Sequence, residues 1–117
     1  LALLLLLLLS TTLHVGARNR ATGLLWIYDA EKTTPVQALV RDDPVWRAAA
    51  DKLKMPWLVL ERQEAEREYP RATRHAEAKG LPAIVFLNRR LIPDVEKAPA
   101  TGLGVIALLE TRAGGLP

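Results

Sequence analysis

The stretch Lys79-Gly80-Leu81-Pro82-Ala83-Ile84-Val85-Phe86-Leu87-Asn88 constrains the fold more than any other part of this chain. Pro82 ends a loop, and five apolar residues then follow without a break. A run this short, rich in branched and aromatic side chains, reads as a strand buried on both faces of a sheet. Leu24-Leu25-Trp26-Ile27-Tyr28 and Trp57-Leu58-Val59-Leu60 are two more runs of the same kind. Three buried strands are therefore expected.

The segments between these runs have helical patterns. Thr33-Thr34-Pro35 looks like a helix start, with Thr as the cap and Pro in the first turn, and Asp42-Asp43-Pro44 repeats the signal. Val45, Ala48, Ala49 and Leu53 then fall at helical spacing. This predicts either one helix kinked near Pro44 or a short helix followed by a longer one, ending by Met55-Pro56. From Glu61 to Lys79 the chain is highly charged. Tyr69, Ala72 and Ala76 share one helical face there, with Pro70 in the first turn and Gly80 as the stop. Opposite charges three apart, Glu64 with Arg67 and Glu68 with Arg71, offset the like charges four apart.

After Asn88-Arg89-Arg90, Leu91-Ile92 is expected to form a short antiparallel return strand, which Pro93 confines to a sheet edge. Leu103, Ile106, Ala107 and Glu110 predict a last helix, closed by Gly114-Gly115. The order is β-α-β-α-β-β-α, an α/β fold with a mixed four-stranded sheet. Its strand-helix-strand units pair in parallel, and a final hairpin supplies an antiparallel edge.

The first 17 residues read differently. Leu1 to Leu9 is Leu and Ala only, a polar stretch Ser10 to His14 follows, and Val15-Gly16-Ala17 places small residues before Arg18. These are the parts of a secretory signal peptide lacking its basic leader segment, so the sequence is read as starting inside a precursor. The apolar run is well short of the roughly 20 residues that span a bilayer. The expectation is cleavage after Ala17 and one exported domain over residues 18–117, periplasmic, secreted or held in the cell envelope. An uncleaved leader anchoring the protein at a membrane is the alternative.

The residue inventory removes several chemistries. The chain has no cysteine, so disulfide exchange, which needs an attacking thiolate, is excluded along with disulfide staples and cysteine lipidation. Beyond the leader there is no serine and a single histidine, His75, so Ser-His-Asp and Cys-His arrangements and Cys/His zinc sites are excluded as well. His75, between Arg74 and Ala76 on a charged helix, reads as an exposed surface residue. Asp29 and Glu31 follow the first strand, where open α/β sheets place their sites, but also read as solvated loop charges. Asp42-Asp43 is more simply a cap, and the glutamates from Glu61 to Glu68 alternate with arginines as on a solvated helix face. Gly102-x-Gly104 lacks the strand and third glycine of a phosphate loop. Trp26, Trp46 and Trp57 read as core or boundary residues, with a binding role for Trp46 as the lesser alternative. No cofactor and no metal are expected. The net charge of +3, from 16 basic and 13 acidic residues, is a thin basis for nucleic-acid binding, and none is expected.

Taken in order, the elements from Leu24 to Glu110 resemble the thioredoxin-like family. Gly80-Leu81-Pro82 before Ala83–Asn88 looks like that family's cis-proline loop and the strand after it. Tyr28-Asp29-Ala30-Glu31-Lys32-Thr33-Thr34-Pro35-Val36 looks like its strand-to-helix segment. On that pattern Thr33 takes the nucleophilic cysteine's place, Thr34 the glycine's, Pro35 the proline's and Val36 the resolving cysteine's. The resemblance implies a three-layer sandwich in which the Leu81–Pro82 bond is cis and near Thr33–Val36. It also implies a shallow groove where the backbone of Leu81 pairs with an extended peptide. With both sulfurs gone, the expected function is protein or peptide binding, or scaffolding, through Thr33, Thr34, Pro35, Val36, Leu81 and Pro82. The partner is an unknown protein or peptide, with a membrane only if the leader is uncleaved. The enzyme alternative is a transferase or hydrolase using Thr33 with Asp29 or Glu31 as polar partner.

Overall fold

A computed structural model of the protein describes residues 20–91 and 93–114. The expected leader, residues 1–17, lies outside the described residues, as do Ile92 and Gly115. The apolar runs form β1 (Ala21–Tyr28), β2 (Trp57–Glu61) and β3 (Ala83–Asn88), and a fourth strand, β4, covers Asp94–Lys97. The sheet order is β2-β1-β3-β4. β1 and β2 are parallel, while β3 runs antiparallel to both β1 and β4. The fold is thus α/β on a mixed four-stranded sheet.

Five helices complete it: α1 (Pro35–Arg41), α2 (Pro44–Lys52), α3 (Arg62–Glu68), α4 (Pro70–Lys79) and α5 (Gly102–Gly114). Thr34 caps α1 with a full capping box: its hydroxyl accepts from the Gln37 amide, and the Gln37 side chain accepts from the Thr34 amide. Asp43 caps α2 through the Val45 amide at 2.9 Å. The chain therefore takes the second of the two forms expected around Pro44, two separate helices. Gly80 ends α4 at φ +108°, a backbone setting that glycine adopts without Cβ strain.

Side-chain alternation along β1 divides the core into two layers. Leu24 and Trp26 face one cluster with Trp46, Ala50, Ile84, Phe86, Val105 and Leu109 from α2, β3 and α5. Leu25 and Ile27 face the other, with Leu60, Ala65, Ala76 and Val85 from β2, α3, α4 and β3. Near its start β1 carries a bulge: Ala21 pairs with Asn88 and Gly23 with Leu87, leaving Thr22 over. The extra residue reverses the alternation, so Ala21 joins the same cluster as Leu24.

The structure corrects several expectations. β2 is an edge strand, since only β1 pairs with it: Trp57 and Val59 pack on the first cluster and Leu60 on the second, but Leu58 is 40% exposed, so the run is not buried along its whole length. The return strand is Asp94–Lys97, and Leu91, where it was expected to begin, is not part of it. Leu91 is exposed at φ +56°, a turn conformation, and the hairpin resumes only after Pro93. The edge position expected from Pro93 holds for β4. The charged segment before Gly80 holds two helices, with Glu61 capping α3 through the Gln63 amide. On α2 the buried stripe is Trp46 and Ala50, with Val45 and Ala48 exposed. Burying one indole outweighs burying a valine and an alanine, which rotates the helix. On α5 the buried residues are Val105, Leu109 and Ala113, while Leu103 is 77% exposed and Ala107 also faces solvent.

Arg112 ties α5 to the β4 edge. Its guanidinium donates to both Asp94 oxygens, at 2.7 and 3.2 Å, and to Glu96 at 2.7 Å, while stacking over Phe86. These hydrogen bonds and the two carboxylates raise the Arg112 pKa further, so it stays charged at any pH the fold survives.

Candidate functional site

Strand register gathers most of the expected site at one end of the sheet. Ile27 pairs with Ala83 and Tyr28 with Glu61, so the exit of β1, the exit of β2 and the entry of β3 lie side by side. The Asp29–Thr34 loop, the start of α3 and the Leu81–Pro82 loop therefore share that end. The Leu81–Pro82 bond is cis, as the resemblance implies. Ala98, leaving β4, donates to the Pro82 carbonyl at 3.0 Å and fixes the loop from its other side.

Asp29, Thr33 and Thr34 of the β1–α1 loop each have a local partner. The Thr33 hydroxyl donates to the Asp29 carbonyl at 2.6 Å. The Asp29 carboxylate accepts from the Glu31 amide at 3.0 Å and lies 3.9 Å from Arg62 Nε. That Nε is itself buried without a hydrogen bond, so Asp29 and Arg62 face each other at the limit of an ion pair. Thr33 makes no hydrogen bond to the carboxylate of Asp29 or Glu31 among the described residues. Thr34 is engaged as the α1 cap, so neither threonine presents an activated hydroxyl.

The apolar members differ in exposure. Pro35 and Val36 are exposed, and Leu39, one turn along α1, is 73% exposed. Leu81 is half-buried against the α3/α4 layer, and Pro82 is buried. Neither the N–H nor the C=O of Leu81 makes a backbone hydrogen bond among the described residues. An extended-loop residue with both groups open at the entry of a strand can pair with an added chain. This availability has no sequence signal, since it depends on where Ala98 and Ala76 direct their bonds. The capping box, by contrast, was readable as Thr34-x-x-Gln37.

At the α1–α2 turn, Arg41 donates two hydrogen bonds to Asp42, both at 2.9 Å, and Arg47 reaches the same carboxylate at 3.3 Å. The hydrogen bonds from Arg41 hold the Asp42 carboxyl below its ordinary pKa, with Arg47 adding to the effect. A carboxyl lowered on folding stabilises the fold above its unfolded pKa and loses that contribution as pH falls through the folded value. Asp42 is exposed, so solvent screens the effect. Asp42→Asn is expected to leave neutral-pH stability nearly unchanged and to flatten slightly the loss of stability on acidification, measured by urea midpoints across the acid range.

Trp46 is fully buried and so belongs to the core rather than to a binding surface. His75 is exposed on α4, beside an apolar recess of about 240 Å³ that Tyr69, Ala72, Leu87 and Leu91 also line. That recess lies at the other end of the sheet from Pro82. Among the described residues no group of three or more His, Asp and Glu could hold a metal ion, and no helix is long and apolar enough to cross a membrane. Comparison with known proteins finds no matching family model, no matching curated protein and no matching solved structure.

Proposed function

We propose that this protein is an exported, redox-inactive thioredoxin-like domain that binds an extended peptide segment of a protein partner. The binding surface lies between Thr33–Val36 and the Leu81–Pro82 loop. The observation that carries this reading is the unpaired backbone of Leu81, beside a β1 exit lined by exposed Pro35 and Val36. Main-chain pairing at Leu81 supplies affinity that tolerates many sequences, and the Val36 and Leu39 surface selects apolar side chains. The strand order and mixed sheet, with helical connections β1–β2 and β2–β3 and a helix after β4, support the thioredoxin-like part of the reading, although each of those two connections holds two helices where one was expected or allowed. With the Thr33 proton committed to a carbonyl, no observation favours the transferase or hydrolase alternative.

The test is selection of binding peptides by display, followed by mapping of amide shifts on the labelled protein. Shifts centred on Leu81 and Thr33–Val36 are expected. Val36→Glu, at a position 61% exposed, is expected to weaken the selected peptides about tenfold or more while leaving the thermal midpoint unchanged. Selected peptides that map elsewhere, or whose binding ignores Val36→Glu, refute the assignment. Determining the N-terminus of the protein from its source tests export separately.

A further inference from the structure

We propose that the end of the domain opposite Pro82 docks on an anionic lipid surface. At that end Ala21 pairs with Asn88, which brings the start of β1 beside the β3–β4 turn. There Arg20, Lys54 and Arg89 line one recess of about 310 Å³, floored by Leu53, Met55 and Ala113. No carboxylate lines it among the described residues. None of the three cationic side chains makes a hydrogen bond or ion pair among the described residues. Lys52 and Arg90 add two exposed positive charges at the same end. The nearby acidic groups offset part of this. Asp94 is paired with Arg112, but the neutral Trp57 Nε1 donor cancels no charge at Asp51, so Asp51, Glu68 at the end of α3 and Glu110 near the end of α5 stand against the five cations.

A second observation favours a lipid surface over a small anion. Leu91 stands 75% exposed directly after Arg89 and Arg90, at the tip of the same end. Basic side chains around a protruding leucine match an interface where anionic headgroups overlie acyl chains. A discrete anion would be served by the cations alone. β1 also enters the fold here at Ala21, so residues 1–19 connect to the domain at its basic end. Over the length of β1 the Pro82 end stands roughly 23 Å farther out, which leaves the proposed peptide surface facing away from the bilayer. The docking is independent of the peptide-binding reading.

The full chain is tested for partitioning onto phosphatidylcholine vesicles with and without phosphatidylglycerol. The apolar N-terminal run contributes alike to both, so the ratio of the two affinities isolates the charge effect. Each basic side chain near an anionic surface is worth about fivefold. Lys54→Glu with Arg89→Glu is expected to reduce the preference for anionic vesicles about twentyfold or more. Lys32→Glu with Lys79→Glu makes the same change in net charge at the Pro82 end and is expected to retain most of the preference. The preference should also fall as salt shortens the Debye length below about 10 Å. Equal losses for the two pairs, or no preference in the parent protein, overturn the proposal. So does a preference abolished by inorganic phosphate at constant ionic strength, which would point to a discrete anion site.

Discussion

Trp46→Ala is expected to destabilise the domain by about 4 kcal/mol, at the upper part of the range for emptying a buried aromatic site. Trp46 has no exposed surface, stacks on Trp26 at 5.4 Å and meets Trp57 edge-on at 5.6 Å. Its Nε1 donates to the Val40 carbonyl at 2.6 Å, near the end of α1. Alanine would leave a cavity between β1 and α2 and remove one of two hydrogen bonds to the Val40 carbonyl, which keeps the one from the Asp43 amide at 3.2 Å. A domain of this size has only about 5–15 kcal/mol to lose, so the variant should retain between about 1 and about 11 kcal/mol and unfold at a much lower urea concentration than the parent. Trp26→Phe is the matched comparison. Trp26 is equally buried, but its Nε1 has no partner among the described residues. Removing an orphan donor recovers about 1–3 kcal/mol of desolvation cost, which offsets the smaller ring. The expected net change is under about 1 kcal/mol. Urea midpoints followed by far-ultraviolet circular dichroism give both values, and similar losses for the two variants would contradict this account of the cluster.

Leu109→Ala carries the next largest effect, about 3 kcal/mol. α5 meets the sheet through Val105, Leu109 and Ala113, spaced four apart, and Leu109 is the largest of the three. Loosening it also withdraws support from Arg112, whose bonds to Asp94 and Glu96 hold β4 in place. Leu103→Ala on the same helix removes the same side chain from an exposed position and should cost less than about 0.5 kcal/mol. The pair distinguishes the observed helix face from the one the sequence pattern suggests. Equal effects would mean that α5 is docked in a different rotation.

Strand positions were legible because continuous apolar runs bounded by Pro and Gly have few other structural readings. The cis-proline loop could be placed from Gly80-Leu81-Pro82 alone, and the two helix starts from Thr34-Pro35 and Asp43-Pro44. Helix faces were less legible. On α2, Val45 and Ala48 fit an apolar stripe as well as Trp46 and Ala50 do, and only the partner surface of Trp26 decides between them. β4 was misplaced because its sequence, Asp94-Val95-Glu96-Lys97, has the polarity of a loop. Its acidic residues are held by Arg112 from a helix 16 and 18 positions away, which no local pattern contains. The site was legible in its location more than in its chemistry. Which hydroxyl is engaged, and which backbone group is open, depends on Asp29, Ala98 and Gln37 together.

The tryptophan cluster also determines what an optical experiment can see. The chain's three indoles form a single contiguous group, with the Arg47 guanidinium lying over two of them. None belongs to the β1–α1 loop or to the loop at Pro82. Intrinsic fluorescence therefore monitors the seam between α2 and the sheet. A ligand seated at Leu81 should leave the emission nearly unchanged, whereas any detachment of α2 should shift it to the red. A silent titration is then the signature of binding at the distal loops, and a red shift marks an event that has opened the core.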